Sequence, residues 1–256
     1  MSQNKYQIPS IHKAINVLEL LKQQESLTLK EIKQELDMPI STCYNILTTL
    51  ENRGFVQRSV DTGHYSLGMT LMHFGLFIYN NIDFKKMGKH YLGKLSEEFG
   101  ETAYLSIIDK SSFKGLVIER HQGDRTGLVY SRNTGDTFPI YASGTGKSLM
   151  SGLSEDELQV FFEKTEMISY TSNTITDEET LREEIKEIIK EGYAISISAY
   201  EDNVISVSSP ISDSLGRVIA SVSLVGPINR IDPMLDKVIY MVKKTAMDIS
   251  KEIGYQ

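Results

Sequence analysis

The sequence predicts an α+β chain: an N-terminal winged helix-turn-helix over residues 1–68, a linker helix over 69–82 and a C-terminal α/β domain over 83–256. Three observations predict it. Two short helical segments with a tight break between them lead into two short strand-like runs around a D-x-G turn, Asp61–Gly63. Beyond Asp83, helical periodicity alternates with strand-like runs rich in Val, Ile and Ser. Charge divides in the same region. Seven basic and seven acidic residues cancel through Asn80, so the net charge of −7 lies entirely behind it. The neutral front is therefore the better candidate to meet nucleic acid.

The 256 residues are 40% hydrophobic and 24% charged, enough for ordinary cores and unlike a disordered chain. Cys43 is the one cysteine, which excludes an intramolecular disulfide and a cysteine-based metal cluster. The start MSQNKYQIPS lacks a basic-then-apolar leader, and no apolar run reaches membrane-spanning length. A cytoplasmic protein with no membrane contact is expected.

In the front half, Ser10 caps a helix with Ile11, Ala14, Ile15, Leu18 and Leu21 on its apolar face. Thr28 and Glu31 form a T-x-x-E capping box opening a helix through Leu36. Pro39 disfavours helical geometry at Met38, and a third helix then runs from about Ser41 to Asn52. Its apolar face holds Ile46, Leu47 and Leu50, and Gly54 suits a left-handed cap. Phe55–Arg58 and Tyr65–Leu67 make the hairpin. In a winged helix-turn-helix the third helix enters the major groove, and its polar side carries Ser41, Thr42, Tyr44, Asn45 and Thr48. Such side chains bind phosphates and base edges, and Asn pairs bidentately with adenine. Lys13, Arg58 and His64 complete the DNA-binding candidates. A three-helix packing module that touches no DNA is the alternative.

Leu71–Tyr79, with Leu71, Met72, Phe74, Phe77 and Ile78, is either the dimer-forming linker or a core helix of the second domain. A helix from Asp83 to Phe99 follows, with Phe84, Met87, Tyr91, Leu95 and Phe99 apolar. Strands are expected at Thr102–Ile108, Leu116–His121 and Leu128–Ser131. Helices follow at Leu158–Phe162 and Thr176–Glu191, the second with a T-x-x-E box and Gly192 as cap. Strands at Tyr193–Ile197, Val204–Ile211 and Val218–Val225, with a turn at Leu215–Gly216, precede a helix over Asp232–Ile253.

One stretch, YASGTGKS (Tyr141–Ser148), invites a phosphate-loop reading. G-x-x-x-x-G-K-[ST] would need glycine at position 141, where Tyr141 stands. What remains is a run of small residues, Ala142–Gly146, at a helix start, where free N–H groups favour a small anion. The histidines fall in no H-E-x-x-H, and no G-x-S-x-G or paired carboxylates supply a catalytic set. No enzyme, metal or cofactor is expected; the alternative is a nucleotide-dependent enzyme fused to a DNA-binding module. Serines recur on the apolar strands, and their hydroxyls need partners in the backbone, in water or in a small oxygenated ligand.

The runs SIHKAINVLELLKQ, LTLKEIKQELDMPISTCYNILTTLENRGFVQR, FPIYASGTGKSLMSGLSEDEL and EGYAISISAYEDNVISVSSPISDSLGRVIASVSLVGPINRI occur in this order. Together they resemble the IclR family of bacterial transcriptional regulators from about Ser10 to the last helix. The resemblance implies a GAF-like effector-binding domain, a double-stranded DNA operator, a small organic-acid effector and a homodimer or homotetramer. It implies an effector pocket formed by backbone N–H groups of Gly144 and Thr145 with Ser196, Ser206 and Ser223. Two departures stand out: Asn45 and Lys13 occupy positions where the family often has arginine, which implies an atypical operator. Val225 stands where another hydroxyl occurs in relatives that bind small acids.

Overall fold

A computed structural model describes residues 8–80, 84–125 and 132–255. Contacts group the chain into two compact units, residues 1–82 and 83–256, each with a core of its own. In the first, α1 (Pro9–Gln23), α2 (Leu29–Glu35) and α3 (Ile40–Asn52) precede a hairpin of β1 (Val56–Arg58) and β2 (Tyr65–Leu67). The helix α4 (Met69–Asn80) follows. α1 starts at Pro9 and not behind a Ser10 cap, because a first-turn proline has its φ preset and lacks only an N–H that would find no helical partner. Its buried stripe is Val17, Leu20 and Leu21, whereas Ile11 and Ile15, expected on the apolar face, are 54% and 48% exposed.

The Thr28–Glu31 box forms as expected, with Thr28 N–H donating to Glu31 at 2.7 Å and Glu31 N–H to Thr28 Oγ1 at 3.3 Å. The Thr28 bonds hold the Glu31 carboxyl below its ordinary range. α3 ends where Gly54 takes φ +70°, its N–H bonding Glu51 O and Phe55 N–H bonding Leu50 O, each at 2.9 Å. This is the Schellman arrangement that a left-handed glycine permits. Val17, Leu21, Ile32, Cys43, Leu47, Val56 and Tyr65 share one core, so helices and hairpin form a winged helix-turn-helix.

The second unit is built on a six-stranded antiparallel sheet of order β5-β4-β3-β8-β7-β6. Its strands are β3 (Thr102–Asp109), β4 (Lys114–His121), β5 (Thr137–Pro139), β6 (Ala194–Ile197), β7 (Val204–Ser212) and β8 (Val218–Pro227). The expected strand Leu128–Ser131 lies outside the described residues, as do the side chains of Ile78, Phe84 and Met87. β5 is too short to carry a period-two signal. α5 (Phe84–Phe99) packs on the Leu105 side of β3, where a Cβ at Gly88 would sit 3.1 Å from Leu105. The other sheet face meets α6 (Gly144–Met150), which packs with α7 (Glu155–Lys164) and α8 (Glu178–Glu191) around Phe161. The short α9 (Ile228–Ile231) and a 3-10 turn at Asp232–Met234 lead into α10 (Leu235–Glu252), which touches α5, β7 and β8.

The starts of α7 and α8 also differ from expectation. α7 begins three residues before Leu158, because Ser154 and Glu157 form a capping box and its acidic first turn favours the helix dipole. α8 is capped by Asp177, whose carboxylate accepts from Thr180 N–H at 2.8 Å, and not by Thr176. A carboxylate both accepts that bond and carries the charge the dipole favours. Gly192 ends α8 at φ +76°, as expected.

Candidate functional site

α3 turns Cys43 and Leu47 into its core, so the helical period leaves Ser41, Tyr44 and Asn45 exposed and Thr42 and Thr48 half-buried. Lys13 is half-buried on α1. On the hairpin, exposed Arg58 stacks 5.3 Å over the Tyr65 ring, and half-buried His64 places Nδ1 3.2 Å from Thr62 O. Five of the eight candidates thus share one helix and two share the hairpin.

In the second unit, the letters GTGKS serve packing. A Cβ at Gly146 would lie 2.1 Å from Ile140 O, and one at Gly144 2.8 Å from Ser206 Oγ. Lys147 is buried and points to Glu184 of α8, Nζ to Oε1 2.5 Å. Ser143 caps α6 by accepting from Gly146 N–H at 3.2 Å. Small residues bring the helix onto a row of strand hydroxyls. Gly144 N–H donates to Ser206 Oγ at 3.2 Å, Thr145 Oγ1 lies 2.8 Å from Ser223 Oγ, and Ser221 Oγ donates to Ser148 Oγ at 3.0 Å. The serine period of two along β7 and β8 puts these hydroxyls on one face.

Beside this row lies a cavity of about 40 Å³, space for roughly three waters. Thr145, Ser196 and Ser206 line it, together with Ser143, Val204 and Val225. Gly144 and Ser223 do not: the first gives its N–H to Ser206 and the second holds Thr145. β3 supplies Tyr104 and Ser106, which pair across the strands with Ser223 and Ser221 and so share their face. Ser106 is fully buried, and its Oγ has no hydrogen-bond partner among the described residues. An unmade bond of this kind costs about 1–3 kcal/mol. A polar occupant removes that cost.

The remaining wall is aromatic and charged. Arg132 sets its guanidinium 4.9 Å from the Phe138 ring centroid and 4.5 Å from that of Tyr200. The Arg132 backbone N–H donates to the Tyr104 hydroxyl at 3.0 Å, and burial pushes that phenol up. The Tyr200 ring packs tilted against Tyr170, centroids 4.6 Å apart, and Tyr170 lies 6.3 Å from Tyr141. The Tyr141 hydroxyl accepts from Ile168 N–H at 2.9 Å and donates to Ile168 O at 3.1 Å, and burial moves its pKa up to about 12. Thr174 Oγ1 donates to Ala199 O at 2.6 Å, tying the 168–174 strap to the cavity wall.

Sequence reasoning missed Tyr104, Ser106, Arg132, Phe138 and Tyr200. Ser106 carried a signal, as a lone hydroxyl within the apolar run Leu105–Ile108. Arg132 carried none, since it lies in a loop outside any periodic segment. The wall offers hydrogen bonds, one guanidinium and apolar surface, a chemistry of binding.

The comparisons agree with this division of the molecule. Residues 10–59 match the IclR helix-turn-helix domain, and residues 77–251 match the model described as bacterial transcriptional regulator IclR, C-terminal. The HTH-type transcriptional regulator KipR of Bacillus subtilis is 31% identical over 249 residues, covering 96% of this chain and 97% of that protein. The crystal structure of the Thermotoga maritima IclR superposes with TM-score 0.73 at 28% identity, covering 96% of this chain and 99% of the other. An IclR homologue from Microbacterium hydrocarbonoxydans complexed with 4-hydroxybenzoate shares the fold, with TM-score 0.80 at 21% identity and coverage of 95% and 98%. A DNA-reading front and a cavity-bearing back, both matched by their own family models, make this chain a member of the IclR family of bacterial transcriptional regulators.

Proposed function

We propose that the protein binds a two-fold operator in double-stranded DNA as a homodimer or homotetramer, and that a small organic acid in the second unit's cavity controls that binding. The observation that carries the effector half is the buried, unpartnered Ser106 hydroxyl in a cavity otherwise rich in satisfied ones. That the Microbacterium hydrocarbonoxydans homologue is complexed with 4-hydroxybenzoate supports a small acid as the effector. Thr145, Ser196 and Ser206 contact the ligand, while Gly144 and Ser223 hold the wall behind it. The DNA face is Ser41, Thr42, Tyr44, Asn45 and Thr48, with Lys13, Arg58 and His64 at its edges.

Dimerisation uses α4, where Met72, Phe74 and Phe77 are 52%, 54% and 71% exposed. Apolar side chains so exposed are the expected mark of a contact surface. Two copies also double the phosphate contacts of a charge-neutral front. The protein carries out no catalytic step and acts in the cytoplasm.

A thermal-shift panel of small carboxylic acids beside ATP–Mg²⁺ tests the effector. The reading expects an acid to raise Tm and ATP–Mg²⁺ to leave it unchanged; stabilisation by ATP–Mg²⁺ alone would favour a nucleotide-dependent enzyme.

A further inference from the structure

We infer that Arg132 selects the charge of the ligand in this cavity: it takes the carboxylate of a small hydroxy- or oxo-acid whose second oxygen reaches Ser106. The inference rests on the effector reading above and specifies which end of the ligand goes where.

Arg132 lines the cavity, with its guanidinium carbon 4.9 and 4.5 Å from the centroids of the Phe138 and Tyr200 rings. Two aromatic neighbours so close restrict the guanidinium and limit its hydration, which strengthens a charge-assisted bond to a planar carboxylate. The Arg132 backbone N–H donates to the Tyr104 hydroxyl, which anchors the residue's main chain beside the cavity, and Tyr200 is itself packed against Tyr170. Ser106 Oγ gives the independent sign of an occupant, a fully buried donor and acceptor with its bonding unmet.

Three other charges bear on the site. Arg120, outside the lining, donates from its guanidinium to Arg132 O at 3.3 Å. Glu201 lines the cavity but is exposed, so water screens its repulsion of an anion more than it screens the half-buried Arg132. Lys147 is turned away into its pair with Glu184. The helix start at Gly144 is occupied as well, its N–H already donating to Ser206. Arg132 is therefore the lining group with the charge and the fork geometry that a carboxylate needs.

The test is titration calorimetry of the full chain with lactate and 4-hydroxybenzoate, each beside its neutral amide. Wild type should bind at least one acid about tenfold or more tighter than its amide. Arg132→Gln should lose about tenfold or more for the acid and about twofold or less for the amide, and Arg132→Lys should fall between. Equal acid and amide affinities in wild type overturn the inference without use of any variant. So does an Arg132→Gln protein that binds the acid as wild type does; if Ser206→Val then weakens binding, the cavity reading survives alone. No binding of any probe by wild type overturns both.

Discussion

Gly146 has room for a hydrogen and nothing larger, with the Ile140 carbonyl oxygen 2.1 Å from where a Cβ would stand. The neighbour is backbone and cannot rotate away, so Gly146→Ala should destabilise the second unit by about 1–3 kcal/mol, as overpacking does. Urea unfolding would show a lower midpoint, and an unchanged midpoint would mean that α6 shifts freely. The glycines of GTGKS were legible as small residues at a helix start, but their purpose was not. A phosphate loop and a close helix-to-sheet contact demand the same absence of a side chain, and Tyr141 was the one local discriminator. Asn45 was legible as an outward polar residue, and the structure exposes it. Asn45→Ala should weaken operator binding by about 1–3 kcal/mol and relax preference at one base position. Anisotropy titrations on an operator and its single-base variants would check this; unchanged affinity and preference would remove Asn45 from base reading.

At the scale of elements, helix ends decide where sequence reading succeeds. The Thr28–Glu31 and Ser154–Glu157 boxes both form, yet the acidic run after Ser154 also suits a solvated helix face, which hid the second. Thr176–Glu179 matches the same pattern and does not form it, because Asp177 caps better one residue later. Ser154→Ala should cost about 1 kcal/mol in urea unfolding. Asp177 adds a pH dependence. The Thr180 N–H holds its carboxyl below the ordinary 3.8, so the folded value lies under the unfolded one. Its contribution is whole above pH 3.8 and is lost as pH falls through the folded value. Asp177→Asn should flatten the acid limb of a Tm-against-pH curve and leave neutral pH nearly unchanged, since Asn also caps. An unaltered acid limb would show that the cap does not titrate with folding. Strands were legible where they ran long enough to alternate or, like the three-residue β1 and β2, flanked a D-x-G turn; β5, with three residues and no such turn, was not.

For the whole molecule, the division into a DNA reader and a ligand binder followed from charge, periodicity and linked motifs. The cavity did not, because Tyr104, Arg132, Phe138 and Tyr200 converge from separate stretches that only the folded sheet brings together. At micromolar concentration, sedimentation equilibrium should show a dimer or tetramer, and Phe77→Asp on α4 should shift it towards monomer; a monomeric wild type would contradict the assembly. The account's central claim is that a ligand in the cavity changes DNA affinity, an energetic coupling of about 1–3 kcal/mol between distinct sites. The most direct measurement is affinity for the DNA upstream of the protein's own gene, with and without an acid that calorimetry shows to bind, for wild type and Ser206→Val. The account predicts a wild-type shift of about fivefold or more, and a variant that needs at least about tenfold more acid for the same shift. A wild type whose DNA affinity stays constant while the acid saturates its cavity would contradict it.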